Sequence, residues 1–487
     1  MTTGLLRAIA AIALVFTTIG VGAPAASAAG APVLGGGSGF AALEIDQWRA
    51  DTARAPYNLT VNYVAQGSTF GRNQFNTGTF DYAASDIQYP QQEIGQLQSG
   101  RCRGKPISDQ CFVYVPVSAG GLAFMYNLTD GSGSRVANLR LTRAAVCKIF
   151  TGAIRKWNDP EIVAANPSLA SYDHNIKAVV RSDGAGESFV LSEYCIAIEH
   201  QVWTDFIAQQ HGSGPQGDNV PEFAAGQPVS NWPQNGWGSN YNAPSADGTA
   251  NYVADPVGGP DTITYVAAGY AKVRSFPTAS VQNASGFFTQ PDEDNVTVAL
   301  QYASGRPNGT FQLAFNGPDR RAYFPSTYSY VLAQTTGFDP SKGATLTRYL
   351  CYAVSKGQAV APQLRYARLS SQLVTIAISA IVKIPGAPSA LSCPVAGAPP
   401  PPPPPSVCTS NCGGPGTTVS GPGGPAGPGG PTSGPNAQNP NAKNAMSGSA
   451  GSGNCATTTT TTSTSTRATT TTTVCVPTAG SGPGRNG

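Results

Sequence analysis

The stretch Ala178-Val179-Val180-Arg181-Ser182-Asp183-Gly184-Ala185-Gly186-Glu187-Ser188-Phe189 constrains the fold more than any other. An apolar run feeds an arginine, then a turn holding two glycines, then a second apolar run. That order reads as a buried strand passing through a turn into a helix, the repeating unit of an α/β sheet. The glycines let the backbone approach a ligand and turn its N–H groups inward, and Ser188 or a neighbour would cap the helix through Ser192-Glu193-Tyr194. Inward N–H groups, a helix start and a guanidinium fork suit an oxyanion. The same turn is also ordinary punctuation, so its meaning rests on two further stretches that could meet it across a cleft.

Both lie upstream. Leu34-Gly35-Gly36-Gly37-Ser38-Gly39-Phe40 is a glycine loop, followed by a helix over 41–53 with Trp48 on its buried side. Residues 59–64 alternate as a strand, Gln66-Gly67-Ser68-Thr69-Phe70-Gly71 is a hydroxyl-bearing loop, and Thr79-Phe80-Asp81-Tyr82-Ala83-Ala84-Ser85-Asp86 is a strand ending on a carboxylate. Strands over 112–117 and 122–126 flank an expected turn at Gly120-Gly121. Helices are expected over 144–150, from Pro160 onward, over 346–355 and through Val374, Ile378, Ile381 and Val382. Strands are expected over 263–266 and 322–332, and residues 212–248 are read mostly as loop. Strand and helix alternate, which predicts a sheet with helices on both faces.

Composition decides where this pattern stops. Residues 399–405 are an unbroken proline run, residues 413–453 are mostly Gly, Pro, Ser and Asn, and the span between Cys455 and Cys475 is almost all threonine. None of this can bury a core, so 394–487 is expected to be a disordered Pro/Gly/Thr-rich tail, either inert spacer or a carrier of O-linked sugar or wall contact. At the other end, one positive charge, an apolar run over 9–21 and Ala26-Ser27-Ala28 read as a signal peptide spanning 1–28. No cysteine near that cleavage site offers lipid attachment, and no later stretch is long enough to span a bilayer. The mature chain is expected to be exported, to the extracellular space or the cell envelope, without an anchor.

All ten cysteines follow the signal, which predicts disulfides. Connectivity is not readable from sequence; proximity favours Cys102–Cys111, Cys408–Cys412 and Cys455–Cys475, which leaves Cys147, Cys195, Cys351 and Cys393, for which Cys147–Cys195 and Cys351–Cys393 are the expectation. Three histidines without ligand spacing argue against zinc. A net charge of +3 with 11% charged residues leaves no dense basic patch for nucleic acid. No GxSxG, phosphate-loop lysine or HExxH motif occurs, so no catalytic residue, metal ligand or cofactor is expected.

Several stretches in common order over 34–384 resemble one family, the substrate-binding protein of the bacterial phosphate ABC importer, called PstS. The loop before Phe40, Trp48, Val61-Asn62-Tyr63 leading to Gly67-Ser68-Thr69, and Phe80-Asp81-Tyr82-Ala83-Ala84-Ser85-Asp86 are similar to its first elements. Ile149-Phe150-Thr151-Gly152 through Trp157-Asn158-Asp159-Pro160, the Arg181 stretch, and Leu364-Arg365-Tyr366-Ala367-Arg368-Leu369 continue the likeness. The resemblance implies a two-lobed periplasmic-binding-protein-like α/β fold with hinge crossover strands. Lobe 1 is then placed at 29–118 plus 322–393 and lobe 2 at 119–321. By that resemblance the expected ligand is inorganic phosphate or a similar small anion, the expected motion a hinge closure and the expected partner an ABC permease, and a monomer is expected.

The resemblance also implies the site. Arg181 supplies a fork to the anion and Asp183 holds it; Ser68 donates its hydroxyl; Phe40 offers its N–H with its ring as a lid, or is simply core; Gly186 offers its N–H. Asp86 accepts a proton from the ligand, which phosphate carries near neutral pH and sulfate does not; otherwise it caps the following helix. Departures are plain. The family's threonine before the phenylalanine is Gly39 here, with Ser38 one residue earlier. Its serine in the arginine motif is Ala185, and its following threonine is Glu187. Missing hydroxyl donors weaken binding by roughly 1.5–3 kcal/mol each. Glu187 brings a second carboxylate, which turns to solvent, is protonated, or meets a cationic part of another ligand. A secreted or wall-associated protein reusing the fold with a drifted site is the alternative.

Overall fold

The computed structural model describes residues 30–105, 111–210, 226–233, 240–389, 391 and 393. The apolar segments assemble into one eight-stranded sheet. Its strands are β1 (Val33–Gly37), β2 (Val61–Val64), β3 (Tyr82–Ser85), β4 (Phe112–Asn127), β5 (Lys177–Arg181), β6 (Asn240–Ala243), β7 (Thr262–Ala267) and β8 (Ser326–Gln334), in the order β2-β1-β3-β8-β4-β7-β5-β6. β2-β1-β3 and β7-β5-β6 are parallel trios. Antiparallel β8 and β4 join them. Each trio with its helices forms one lobe of a mixed α/β, two-lobed fold.

The expected turn at Gly120-Gly121 does not form. β4 runs unbroken for 16 residues, pairing with β8 through Gly121 and with β7 from Leu122 onward. The glycines serve close approach instead of reversal. A Cβ on Gly120 would lie 2.8 Å from the Phe40 ring, and one on Gly121 would lie 2.8 Å from Pro291 and 2.9 Å from the Tyr323 ring.

Helices α1 (Ala42–Thr52), α2 (Ser68–Thr77), α3 (Gly186–Ile198) and α4 (Ser245–Ala254) follow strand ends. Trp48 is buried in α1, its Nε1–H donating to the Gly357 carbonyl at 2.9 Å. Ser68 opens α2, so the hydroxyl-bearing loop is shorter than expected. The stretch read as loop over 212–248 contains β6 and the start of α4, while 211–225 and 234–239 lie outside the described residues. β6 escaped notice because Asn240-Tyr241-Asn242 has no apolar alternation; pairing with β5 places it at the sheet edge.

The disulfides Cys102–Cys111, Cys147–Cys195 and Cys351–Cys393 form as paired from the sequence. The chain divides after Val407, and the expected signal segment 1–28 and the expected tail 394–487, with Cys408, Cys412, Cys455 and Cys475, lie outside the described residues. Among the described residues no helix is long and apolar enough to cross a membrane.

One acid in this core sets a pH dependence. Glu44 of α1 is fully buried and accepts a hydrogen bond from the Ser118 hydroxyl of β4, while its Oε1 meets no hydrogen-bond partner among the described residues. Burial pushes its carboxyl from 4.5 up to about 8, with the Ser118 bond opposing. The folded value exceeds the unfolded one, so its contribution is fully present below about 4.5 and is lost as pH rises through about 8. Glu44→Gln is expected to flatten the fall in melting temperature between those limits and to stabilise by about 4–5 kcal/mol at the alkaline end. Thermal melts of both proteins across this window check it; parallel profiles would show that Glu44 ionises freely.

Candidate functional site

Parallel strands from both trios deliver their carboxyl ends to one crevice, where open α/β sheets place ligands. Ser38 follows β1, Asp86 follows β3, Ser68 opens α2, and Arg181 closes β5. All four are buried.

Asp86 sits in a ring of hydroxyls. Its Oδ1 accepts from Ser38 at 2.5 Å and Ser329 at 2.6 Å, and its Oδ2 accepts from Ser68 at 3.0 Å. The Asp86 N–H in turn donates to the Ser68 oxygen at 3.2 Å. Burial raises the pKa of its carboxyl, opposed by the three hydroxyls and by Arg181. Asp86 does not cap the following helix, which runs Gln91–Ser99 behind Pro90. Upstream, the buried Arg72 forks onto Glu93 with two bonds of 2.7 Å and donates to Ser85 at 2.9 Å, bracing the residue before Asp86.

From the other lobe comes Arg181. Its Nε and Nη2 donate to the two Asp183 oxygens at 2.7 and 2.5 Å, and Ser245 N–H donates to Asp183 Oδ1 at 3.0 Å. Nη1 lies 2.7 Å from Glu187 Oε1, an ion pair whose N–H is off the line of a hydrogen bond. Burial disfavours the guanidinium's charge, yet Glu187 and Asp183 hold it protonated well above the ordinary value. Burial likewise pushes the Glu187 carboxyl up to about 7, with Arg181 opposing and Asp86 adding.

The lobes meet at this point. A Cβ on Gly186 would fall 2.4 Å from Asp86 Oδ2 and 2.8 Å from the Ser68 oxygen, so only glycine fits there. Thr69 N–H donates to the Gly184 carbonyl at 3.1 Å, and Tyr270 O–H to the Gly39 carbonyl at 2.8 Å.

Most residues named from the sequence therefore gather here: Ser38, Gly39, Ser68, Asp86, Arg181, Asp183, Gly186 and Glu187. Phe40 is core, its ring edge-on to Tyr366 at 5.8 Å. Ala185 is buried with its N–H donating to the Ser230 carbonyl at 2.9 Å. Ser188 does not cap α3; Ala185 holds the cap position, and the Ser188 hydroxyl bonds the Tyr265 hydroxyl at 2.8 Å. Ser329 was missed. Only the register that sets Tyr330 opposite Ser85 brings it beside Asp86.

The model of the PBP superfamily domain matches residues 22–356. The phosphate-binding protein PstS of Xylella fastidiosa (strain 9a5c) is 28% identical over 343 residues, 70% of this chain and 82% of that protein. PstS of Haemophilus influenzae is 26% identical over 316 residues, 65% of this chain and 82% of its own length. A solved phosphate-binding protein from Stenotrophomonas maltophilia shares the fold with a TM-score of 0.52 at 17% identity, covering 73% of this chain and 96% of that one. A superfamily match over more than half the chain, on a sheet whose two parallel trios converge at one crevice, leaves one assignment: the protein belongs to the PBP superfamily.

Proposed function

We propose that this protein is an exported receptor that binds phosphate or a related small oxyanion between its lobes and delivers it to an ABC-type permease, without catalysing a reaction. The observation that carries the reading is the pairing of a buried guanidinium, Arg181, with a buried carboxylate ringed by three hydroxyls, Asp86, across one crevice. A lone guanidinium would take any oxyanion. A facing carboxylate admits the one that brings its own proton, so phosphate is accepted and sulfate refused. The signal segment, the disulfides and the relatives' names support export and the ligand. Service as a monomer and the 29–118, 119–321 and 322–393 division into lobes belong to the same reading.

Calorimetric titration of the full mature chain with phosphate and sulfate across pH 5–8 tests it. Phosphate is expected to bind with sulfate at least ~100-fold weaker at pH 7, a gap of about 3 kcal/mol. Asp86→Asn removes the unprotonated acceptor and is expected to close that gap by admitting sulfate. Absence of heat and of thermal protection at millimolar phosphate at every pH would end the receptor reading. The second reading, a secreted or wall-associated protein with a drifted site, is favoured by the carboxylate of Glu187 already on Arg181, and that same result would establish it.

A further inference from the structure

Asp183 takes the Nε–Nη2 side of the Arg181 guanidinium, and Glu187 Oε1 stands 2.7 Å from Nη1. Both Arg181 and Glu187 side chains are fully buried. An anion approaching the guanidinium edge turned toward the other lobe therefore meets a carboxylate of the protein's own chain. Glu187 also reaches across the crevice. A Cβ on Gly39 would lie 3.5 Å from its Oε1 and 3.2 Å from the Ala246 Cβ, so the bare backbone at Gly39 leaves the room that the longer acid fills. Neither Glu187 oxygen accepts a hydrogen bond among the described residues, although both are buried. The Glu187 charge is favoured by Arg181 and, less strongly, by its own backbone N–H.

We infer that Glu187 is a built-in competitor for the oxyanion, and that binding of phosphate at this site requires Glu187 to take up a proton. This rests on the receptor reading above and deepens it. As a carboxylate, Glu187 holds the Nη1 edge and repels the anion. As a carboxylic acid it releases that edge and turns its own O–H into a donor for an anion oxygen. The proton comes from solvent, so one proton enters with each anion in addition to any proton the ligand carries.

The surroundings bias this exchange toward neutral pH. Facing Glu187 are Arg181 at the end of β5, Asp183 in the turn that follows, Asp86 from the other lobe, and the hydroxyls of Tyr265, Tyr270 and Tyr366. Burial and the Asp86 and Asp183 charges disfavour ionised Glu187, and Arg181 favours it, leaving its carboxyl near 7. A receptor so built loads best in mildly acidic surroundings and releases its anion as the pH rises.

The test compares the full chain with Glu187→Gln and Glu187→Thr, each checked for folding by thermal melt. Phosphate is titrated at pH 5.5, 7 and 8, in buffers of different ionisation enthalpy so that proton uptake is counted. Phosphate changes its own protonation over this range, and the variants carry that common part. At pH 8 both variants are expected to bind at least ~10-fold tighter than the natural chain, the factor set by one unit above the Glu187 value. The affinities converge at pH 5.5, and at pH 8 the natural chain takes up about one proton more per phosphate than Glu187→Gln. Equal affinities and equal proton counts at pH 8, with binding present, would overturn the inference and leave the receptor reading intact. Binding by the natural chain alone would also overturn it, since Glu187 would then serve the ligand as a carboxylate. Silence of all three proteins at every pH would remove the receptor reading, and the inference with it.

Discussion

Arg181→Ala is expected to abolish phosphate binding and to lower stability by about 3–5 kcal/mol, the loss that follows when one member of a buried charge set is removed. The guanidinium is the shared partner of Asp183 and Glu187, with Asp86 across the crevice. Without it, three acids face one another in a water-poor space. They must protonate or unfold the site, so the deficit is expected to be largest at alkaline pH and to shrink in acid, where the acids are neutral. Arg181→Lys separates charge from shape. It is expected to recover most of the stability but to bind phosphate at least ~10-fold more weakly, because an ammonium cannot hold Asp183 with two parallel bonds. Denaturant titrations with calorimetry on the three proteins check both parts. Wild-type affinity in Arg181→Ala would show that the anion does not use this guanidinium.

Removing the Cys147–Cys195 disulfide is the second large effect. The bridge closes 48 residues of chain, and the loop-entropy model assigns such a closure about 4 kcal/mol. It ties the helix Arg143–Phe150 to α3, whose first residues carry Gly186 and Glu187. Cys147→Ala with Cys195→Ala is expected to lower the melting temperature by about 5 °C for a folded body of this size. It is also expected to weaken anion binding, as the start of α3 loses its tether. Melting curves and titrations with and without reductant, run beside the double variant, check this. An unchanged melting point would show that the packing of these two helices suffices.

Much of the fold was legible because apolar runs and glycine turns state local geometry. Ala178-Val179-Val180 entering Arg181, and the Thr79 to Asp86 segment, became β5 and the shorter β3, each leading to its charged residue where expected. The failures share a cause. Gly120-Gly121 looked like a turn because glycine licenses reversal, yet the rings around them show that bare backbone also serves proximity. Asn240 to Ala243 carried no strand pattern because an edge strand is held through its backbone ladder. For the site, the residues near glycine turns were found, while Ser329 and Arg72 were not. Their roles depend on which strand lies beside which, a relation no local pattern states. The presence of Glu187 was evident, but its direction was not: solvent, protonation and another ligand stayed open until packing placed it on Arg181.

The unbroken β4 has a mechanical meaning. A strand hydrogen-bonded to β8 on one stretch and to β7 on the next cannot swing like a loop. Any opening must twist this shared ribbon. At the change of partners, Phe40 and Tyr366 press on Gly120, while Pro291 and Tyr323 press on Gly121. These rings act as bearings: rotation of one half against the other has to slide them over bare backbone. The rest position of the jaws is thus set by aromatic packing at the change of partners, and a change of ring size at Tyr323 retunes the mouth without touching Arg181 or Asp86.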